Sequence, residues 1–244
     1  MNTEKTVTEA IQYRRSVRVY DKEKEIDPEK VRKCIQNAVL APTSSNLQLW
    51  EFYHVTDTEV LKELVEACLG QNAAKTAKQM VIVVARRDLW RKRARSNKDF
   101  LLKSIGDKPR EEYSKREKFA LGYYTKLIPS IYAEFLGLIG WIRYVFFWVI
   151  GLFRPVYRQV RRSDLRIVAH KSAGLAAQNF MISMAAIGYD TCPMEGSDTT
   201  RIKKILNLPM GAEITMTIGC GIRDENGIYG PRFRVPFEEV YKAI

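Results

Sequence analysis

The run from Ser172 to Ile187, SAGLAAQNFMISMAAI, is apolar on nearly every side of a helix and rich in small residues. A helix of this kind has no broad polar face for water, so it must be covered by the core or by another subunit. Gly188 follows the run and ends it. The run MVIVVA, from Met80 to Ala85, is short and continuously apolar, which is typical of a buried central strand. Both segments are therefore expected in the interior.

Helices and strands recur along the rest of the chain. Asp27 is placed to cap a helix whose first turn holds Pro28, and Pro42 ends that helix. The pattern predicts helices near 7–11, over 27–41, 57–69 and 199–208, strands over 50–55 and 213–221, and loops over 43–48 and 189–198.

Length and composition restrict the class of protein. The 244 residues, 46% of them hydrophobic, can fill a sizeable core in one large domain or two small ones without disulfide bonds. Four widely spaced cysteines without a CxxC pair, and only two histidines, predict no metal site and suggest a reducing cytoplasm. The first ten residues lack the apolar core of a signal peptide, so we expect no export by that route.

Most of the net positive charge lies in the middle of the chain. Residues 86–165 contain 19 Lys and Arg against 8 Asp and Glu, so they carry +11 of the formal net charge of +12. Such a charge suggests an anionic partner, which includes nucleic acid, a phosphate-bearing cofactor and an acidic lipid surface.

The same region contains a long apolar segment, from Leu127 to Phe153. Its length suggests a membrane span, but Glu134, Arg143 and several glycines interrupt it, and the uninterrupted part from Tyr144 to Phe153 is too short to cross a bilayer. Three interpretations stay open: a lid or dimer-packing pair of helices, a membrane-surface anchor with basic flanks, and a true span. The helical lid is the simplest of them.

The stretch RRSVRVY places three arginines and a serine directly after the first predicted helix. Guanidinium groups match phosphate oxygens, and a serine hydroxyl adds a short donor. A solvated basic helix end is the alternative interpretation. The residues that could hold one phosphate are Arg14, Arg15, Ser16 and Arg18.

A second pair of arginines, Arg232 and Arg234, lies in GPRFRVP near the end of the chain. Their alternating spacing directs both side chains to one side of an extended segment. The two arginine groups could therefore grip one phosphate from opposite sides.

Two loops complete the candidate site. APTSSNLQLW concentrates hydroxyls and amides where a helix gives way to a strand, and such a loop either binds a flat polar ligand or is an ordinary turn. In PMEG, Gly196 allows close approach to the backbone, while Glu195 is open to roles as an acid, an ion-pair partner or a solvated charge.

The motifs RRSVRVY, APTSSNLQLW, GQNAAK, PMEG and PRFRVP together resemble the FMN-dependent nitroreductase family, in the family's order. The resemblance covers roughly residues 5–85 and 165–240. It implies an α+β fold with a central mixed, mostly antiparallel sheet surrounded by helices, and an intertwined homodimer. It also implies one domain over residues 1–244, in which residues 86–165 are a variable insertion.

The resemblance also implies the residues that bind FMN. The N-terminal and C-terminal arginine groups would hold its phosphate and ribityl chain, and the loop at 42–46 would line the flavin from the neighbouring subunit. Asn72 and Lys75 would contact its pyrimidine side, and PMEG would aim backbone N–H groups at the flavin N5. The implied set is Arg14, Arg15, Ser16, Arg18, Pro42, Thr43, Ser44, Asn46, Asn72, Lys75, Pro193, Met194, Glu195, Gly196, Arg232 and Arg234.

The implied activity is transfer of hydride from NADH or NADPH through FMN to a small electron-poor acceptor, a nitroaromatic or a quinone, by a ping-pong mechanism. Because the flavin carries the chemistry, no catalytic side chain is expected. The competing hypotheses are a non-enzymatic protein that binds nucleic acid or membrane through residues 86–165, and a family member that performs dehalogenation or flavin breakdown. Nucleic acid is the disfavoured partner, and peripheral membrane contact stays open.

Overall fold

Four antiparallel strands form one sheet in the order β1-β2-β4-β3. The structure is a computed structural model, and it describes residues 4–134 and 138–244. The strands are β1 (Trp50–Val55), β2 (Gln79–Ala85), β3 (Asp190–Met194) and β4 (Glu213–Gly221). All seven residues of β2 are buried, so the predicted central strand is confirmed.

Helices cover this sheet and fill the middle of the chain. A π-helical turn at Tyr123–Leu127 and short 3-10 turns at Ser44–Asn46, Arg87–Leu89 and Arg110–Glu112 join them. The helices are α1 (Val7–Tyr13), α2 (Pro28–Ala38), α3 (Thr58–Ala67), α4 (Asn72–Lys75), α5 (Trp90–Ile105), α6 (Lys115–Gly122), α7 (Ile128–Tyr132), α8 (Leu138–Ile150), α9 (Arg162–Ala186), α10 (Thr199–Ile205) and α11 (Phe237–Val240).

Side-chain caps fix where several helices begin. The Asp27 carboxylate accepts from the Glu29 N–H at the start of α2, and Pro28 occupies the first position, as the sequence predicts. Asp57 caps α3 in the same way, accepting from the N–H groups of Glu59 and Val60. These short-range interactions explain why the beginnings of both helices can be predicted from local sequence.

The small-residue run lies in α9, which begins ten residues before Ser172, at Arg162. Ala173, Ala176 and Phe180 are fully buried against strand residues such as Val81 and Ile218. The small side chains let the backbone of α9 come close to the sheet. Leu175 on the same run is half exposed, so one chain covers only part of this helix.

The segment from Tyr189 to Asp198, predicted as a loop, is corrected in its first half. Asp190–Met194 forms β3, because each residue pairs with β4 in antiparallel register from Gly221 to Thr217. Pro193 is compatible with this strand because β3 lies at the sheet edge, where one side of the backbone needs no strand partner. Among the described residues, parallel pairing is limited to an isolated bridge between Ser16 and Thr191.

The basic middle region, residues 86–165, contains α5 to α8 with their connecting turns and the first residues of α9. Within residues 4–134 and 138–244, none of the helices is both long enough and apolar enough to cross a membrane. Part of the predicted apolar segment, residues 135–137, lies outside the described residues. For the described part, the interpretation as a true span is therefore wrong, because the apolar residues form short separate helices.

Candidate functional site

Arg14 ends α1 and leads into an extended stretch beside β3. Its N–H donates to the Ala10 carbonyl at 3.0 Å, while its ψ of 124° turns the chain out of the helix. Ser16 forms the parallel bridge with Thr191, and the Val17 N–H donates to the Thr191 carbonyl at 3.2 Å. Val17 is fully buried, so this stretch is anchored to the β3 edge of the sheet.

The C-terminal tail and the N-terminal arginine group meet through backbone carbonyls at Arg15 and Arg232, whereas Arg234 donates to the carbonyl of its neighbour Phe233 at 2.7 Å. Arg15 Nη2 donates to the Gly230 carbonyl at 2.6 Å. Arg232 Nη2 donates to the carbonyls of Gln12 and Arg14, at 2.8 and 2.6 Å. The fold therefore brings together two arginine groups that are more than 200 residues apart in the sequence, as the phosphate-grip hypothesis requires.

The electrostatics of this arginine cluster favour an anion. Burial lowers the pKa of Arg14, and the positive charges of Arg232, Arg234 and Arg15 lower it further. Like charges at this range repel unless an anion lies between them. Within the part of the chain that the structure describes, no carboxylate forms an ion pair with Arg14, Arg15, Arg18, Arg232 or Arg234.

Arg18 lies on the same edge, and its N–H donates to the Gly227 carbonyl at 2.7 Å. Burial raises the pKa of the Cys192 thiol in β3, and the charges of Arg18 and Arg14 oppose that rise. Ser16 pairs with Thr191 of β3, and β3 leads directly into the PMEG turn, so the arginine cluster and the turn flank the same edge strand.

Helix α4 connects the PMEG turn to the C-terminal tail. Gln71, the residue before α4, donates from Nε2 to the Gly196 carbonyl at 2.7 Å. Asn72 donates from Nδ2 to the Tyr229 hydroxyl at 2.8 Å. Tyr229 directly precedes the glycine that accepts from Arg15, so the predicted Asn72 and Gly196 lie on a path of contacts that reaches the arginine cluster.

Lys75 and the PMEG turn complete this half of the site. Lys75 folds back over Gly70, where an added methyl group would lie 3.4 Å from Lys75 Cε. Pro193 and Met194 end β3, whereas Glu195 and Gly196 are exposed beyond it. Among the described residues beyond its chain neighbours, the atom nearest to a methyl group added to Gly196 is Gln71 Nε2, at 3.8 Å, so the backbone of the turn has room for a ligand.

The loop at residues 42–46 makes its contacts away from the arginine cluster. The Ser44 N–H donates to Ser172 Oγ at 3.4 Å, and Asn46 Nδ2 donates to Asn97 Oδ1 at 2.9 Å. Thr43 accepts at Oγ1 from the Gln48 N–H, and Pro42 is exposed. These contacts join the loop to α9 and to the middle region, and not to the arginine cluster.

The strand order of the sheet shows how far the loop at residues 42–46 lies from the arginine cluster. The loop precedes β1, at one edge of the sheet, and the arginine cluster borders β3, at the other edge. Three strand spacings separate these edges, which is about 14 Å. Helix α9 contacts the loop at Ser172 and contacts α1 near its C-terminal end. From Ser172 to Ala186 the helix rises about 21 Å. Within one chain, the loop and the arginine cluster are therefore well separated.

Gln71 and Tyr229 are contact residues that the sequence motifs did not single out. Gln71 lies within GQNAAK, one residue before the predicted Asn72, and an amide there is the available signal. Tyr229 lies in an irregular tail whose partners are more than 150 residues away. No local pattern indicates such a partner, so tertiary structure is needed to find it.

A profile of the nitroreductase family matches residues 11–222, which is most of the chain. The chain belongs to the nitroreductase family. This membership makes it an oxidoreductase by class, and the α+β fold that the sequence motifs implied is confirmed.

Individual relatives match over most of their length. The chain is 27% identical to DrgA of a Synechocystis species over 218 residues, which cover 89% of this chain and 84% of that protein. It is 25% identical over 233 residues to MhqN of Bacillus subtilis, a protein assigned as an NAD(P)H nitroreductase, with coverage of 95% and 96%.

Solved nitroreductase structures share the fold. YdfN of Bacillus subtilis superposes with a TM-score of 0.72 at 24% identity, covering 97% of this chain and 98% of that one. A nitroreductase from Exiguobacterium sibiricum, solved in complex with FMN, superposes with a TM-score of 0.68 at 21% identity and covers 99% of each chain. At these identities the superpositions show the fold alone.

Proposed function

We propose that this protein is an FMN-dependent NAD(P)H oxidoreductase of the nitroreductase type. The observation that carries the proposal is the arginine cluster, in which Arg14, Arg15 and Arg232 converge without a neutralising carboxylate among the described residues. A ligand phosphate supplies the missing negative charge, and guanidinium groups bind it in a planar, directional way. Family membership and the name of the FMN complex from Exiguobacterium sibiricum support the same choice.

The donor set fits FMN beyond its phosphate. Asn72 and Lys75 stand on α4, which begins directly after Gln71, the residue that donates to the Gly196 carbonyl. A ring system held there would meet an amide, an ammonium and the exposed backbone of the turn. FMN, when bound, supplies hydride acceptance and donation at N5. Lys75 would stabilise negative charge on the reduced ring, and the turn would position N5. Ser16 and Arg18 complete the donors around the phosphate and ribityl chain.

We further propose a homodimer as the active form. The loop of Pro42, Thr43, Ser44 and Asn46 lies on the opposite sheet edge from the arginine cluster, so a second copy must supply the missing half of each site. The C-terminal tail supports this, because Phe233, Phe237 and Val240 are exposed in the single chain. Burial of such side chains against a partner is a favourable contribution to association.

The proposed reaction is ping-pong, with NADH or NADPH as donor and a nitroaromatic or quinone as acceptor. One open face above the PMEG turn serves both substrates in succession, and no protein nucleophile or base is required. We propose one domain over residues 1–244, with residues 86–165 as its variable insertion, and a cytoplasmic location. A dehalogenating or flavin-degrading member of the family would use the same site with a different acceptor.

The first experiment compares FMN with riboflavin, which has the same ring but no phosphate. We expect Arg14→Gln to weaken FMN binding about 10-fold to 100-fold, the value of one charge-assisted hydrogen bond, and to leave the weaker riboflavin binding unchanged. Arg32→Gln is the matched control, since Arg32 is an exposed arginine on α2 paired with Glu29. Equal FMN binding by the wild type and Arg14→Gln would refute the proposed phosphate site.

The dimer is tested by mixing two variants at an FMN concentration that fills the wild-type site and leaves the sites of each variant nearly empty. Arg14→Gln damages the arginine half-site, and Ser44→Arg damages the loop half-site. If each site combines halves from two subunits, re-association of an equal mixture restores about a quarter of wild-type sites, because half of the dimers are mixed and each holds one intact site. No recovery after mixing would place both halves of a site in one chain.

The non-enzymatic alternative predicts a different outcome. A colourless protein that refuses added FMN but binds DNA with steep salt dependence would favour nucleic-acid binding through residues 86–165. A yellow protein that oxidises NAD(P)H and passes electrons to a nitroaromatic or quinone would favour the enzyme. Both measurements are made on the same purified protein.

A further inference from the structure

The outer face of α8 and the turn after it is almost entirely apolar. Trp141 and Ile142 are more than 60% exposed, and Phe153 is 84% exposed. Exposed apolar surface of this extent is rare on the surface of a monomeric soluble protein. The exposed large apolar residues of this face, called the α8 face below, are Leu138, Ile139, Trp141, Ile142, Val145, Phe146, Trp148, Val149, Leu152 and Phe153.

The polarity of α8 is inverted compared with a helix that faces water. Its one charged residue, Arg143, points inward, where it donates to the Ser130 carbonyl at 2.6 Å and to the Glu134 carboxylate at 3.2 Å. Gly140 packs against the start of α9, since an added methyl group would lie 3.3 Å from the Arg162 nitrogen. The helix is therefore fixed in this orientation by its polar contacts, and its apolar face is held outward.

Arginines surround the α8 face. Residues 138–162 contain five arginines and no Asp or Glu. Arg158 donates to the Gly151 carbonyl just beyond α8. Arg161 lies over the Tyr144 ring at 4.7 Å and forms an ion pair with Asp164. Arg154 is exposed directly after Phe153. An apolar, aromatic face with a basic border is the composition of helices that lie in the interface of an acidic bilayer.

A second copy of this chain is a poorer match for the α8 face. A two-fold contact of this face with itself would bring Arg154 and Arg158 of the two copies together, and among the described residues neither of them forms an ion pair, whereas Arg143 and Arg161 pair with Glu134 and Asp164. An acidic lipid surface instead offers apolar chains to the tryptophans and phosphates to the arginines. We propose that the α8 face docks this protein peripherally on an acidic lipid surface.

A cavity beneath α8 gives this docking a chemical use, and that use rests on the proposed function. The cavity has a volume of about 560 Å³ and lies between Phe146 and Phe147 of α8 and Ser44 and Ser45 of the loop at residues 42–46. Its lining is mostly apolar, and Arg143 borders it with a buried Nε–H that has no hydrogen-bond partner within residues 4–134 and 138–244. An acceptor with an apolar body and a carbonyl oxygen, dissolved in the lipid, suits this lining.

Flotation on a density gradient tests the docking without reference to activity. The wild type is mixed with vesicles of phosphatidylcholine alone or with added phosphatidylglycerol. The test variant is Trp141→Glu with Val145→Glu, two residues of the α8 face. The matched control is Phe100→Glu with Phe119→Glu, two exposed aromatic residues on α5 and α6. Each double variant adds two negative charges.

We expect the wild type and the control to float with acidic vesicles and not with neutral ones. The α8 double variant should bind the acidic vesicles at least about tenfold more weakly, because two apolar side chains no longer leave water. Failure of the wild type to float, or flotation of all three proteins alike, would overturn the proposal. A change of the α8 double variant from dimer to monomer would also overturn it, because a second copy then covers the face.

Turnover measurements distinguish a failure of the lipid route to the cavity from a failure of the proposed oxidoreductase function. A quinone with a long apolar tail is presented in acidic vesicles, and a short soluble quinone is presented in buffer. We expect the α8 double variant to lose about tenfold with the long-tailed quinone only. Equal loss with both would refute the lipid route, and absence of turnover by the wild type with both would refute the proposed oxidoreductase function while leaving the flotation result intact.

Discussion

Arg15 and Gly230 are joined by a hydrogen bond of 2.6 Å between the guanidinium Nη2 and the glycine carbonyl. The bond fixes the C-terminal tail across the end of α1, and Arg232 repeats the arrangement with the Arg14 carbonyl at 2.6 Å. Backbone carbonyls orient these guanidinium groups without neutralising their charge, so the remaining N–H groups stay available to an anion. The tail is thus part of the proposed phosphate site and also holds it together.

Replacement of Arg232 should affect both the tail and the cofactor. We expect Arg232→Gln to lower FMN affinity about tenfold or more, since it removes one charged donor and two bonds to the end of α1. Limited proteolysis after residue 230 should become faster in the same variant. Arg32→Gln provides the control for loss of an exposed arginine. Unchanged FMN titration and unchanged proteolysis would contradict this role.

The buried ion pair of Asp190 and Arg223 should dominate the stability of the β3 edge. Asp190 is 1% exposed, accepts from Arg223 Nε at 2.9 Å and also accepts from the Arg223 N–H at 2.9 Å. Asp190→Asn leaves the guanidinium without its counter-charge, which costs about 3–5 kcal/mol for a buried pair. Urea unfolding measures this cost. Glu29→Gln, at an exposed pair, should change the free energy of unfolding by less than about 0.5 kcal/mol.

The cysteines should be unreactive in the folded protein. All four are free and buried, and burial raises the pKa of the Cys34 and Cys68 thiols to about 11 and those of Cys192 and Cys220 above their ordinary value. At pH 8 a pKa near 11 lowers the thiolate fraction about two-hundredfold. A coloured disulfide reagent should therefore detect four thiols after unfolding and react far more slowly before it. A fast reaction of one thiol in the native state would argue against this packing.

Glu117 gives the stability a defined pH dependence. The Lys108 ammonium, with the backbone and hydroxyl of Ser114, lowers the pKa of the Glu117 carboxyl to about 2. Since the folded pKa lies below the unfolded one, the contribution is complete above about pH 4.5 and is lost as the pH falls toward 2. The difference in Tm between wild type and Glu117→Gln should therefore be largest near neutral pH and shrink below pH 4.5. A difference that stays constant, or grows in acid, would exclude this assignment.

Local sequence predicts those elements whose ends are set by short-range interactions. Asp27 and Asp57 cap their helices through N–H groups two or three residues away, and the apolar run of β2 is buried whatever its partners. The same reasoning fails at β3, where Asp190–Met194 has no alternating pattern and contains a proline. Pairing with β4, some 27 residues further along, makes it a strand. Such non-local pairing leaves little trace in the strand's own residues.

The same distinction between local and non-local interactions applies to the candidate site. The residue types, namely the arginines, the serine, the amide and the open turn at Gly196, are present in the sequence, because phosphate and flavin recognition requires these donors. The sequence does not show that Arg15 and Gly230 meet, or that Gln71 bonds to the Gly196 carbonyl. It also does not show that the loop at 42–46 lies at the far edge of the sheet. These relations depend on strand order.

The sequence by itself determined the family, the buried helix and strand, the helix caps and the chemical groups of the site, because these follow from residue types and short spacings. Only the tertiary structure decided that the arginine groups converge with no carboxylate of the described residues paired to them, that the loop at 42–46 and the arginine cluster lie at opposite sheet edges, and that α8 holds its apolar face outward. The physical reason is that solvent exposure and charge proximity are properties of packed surfaces, which contacts between distant residues create.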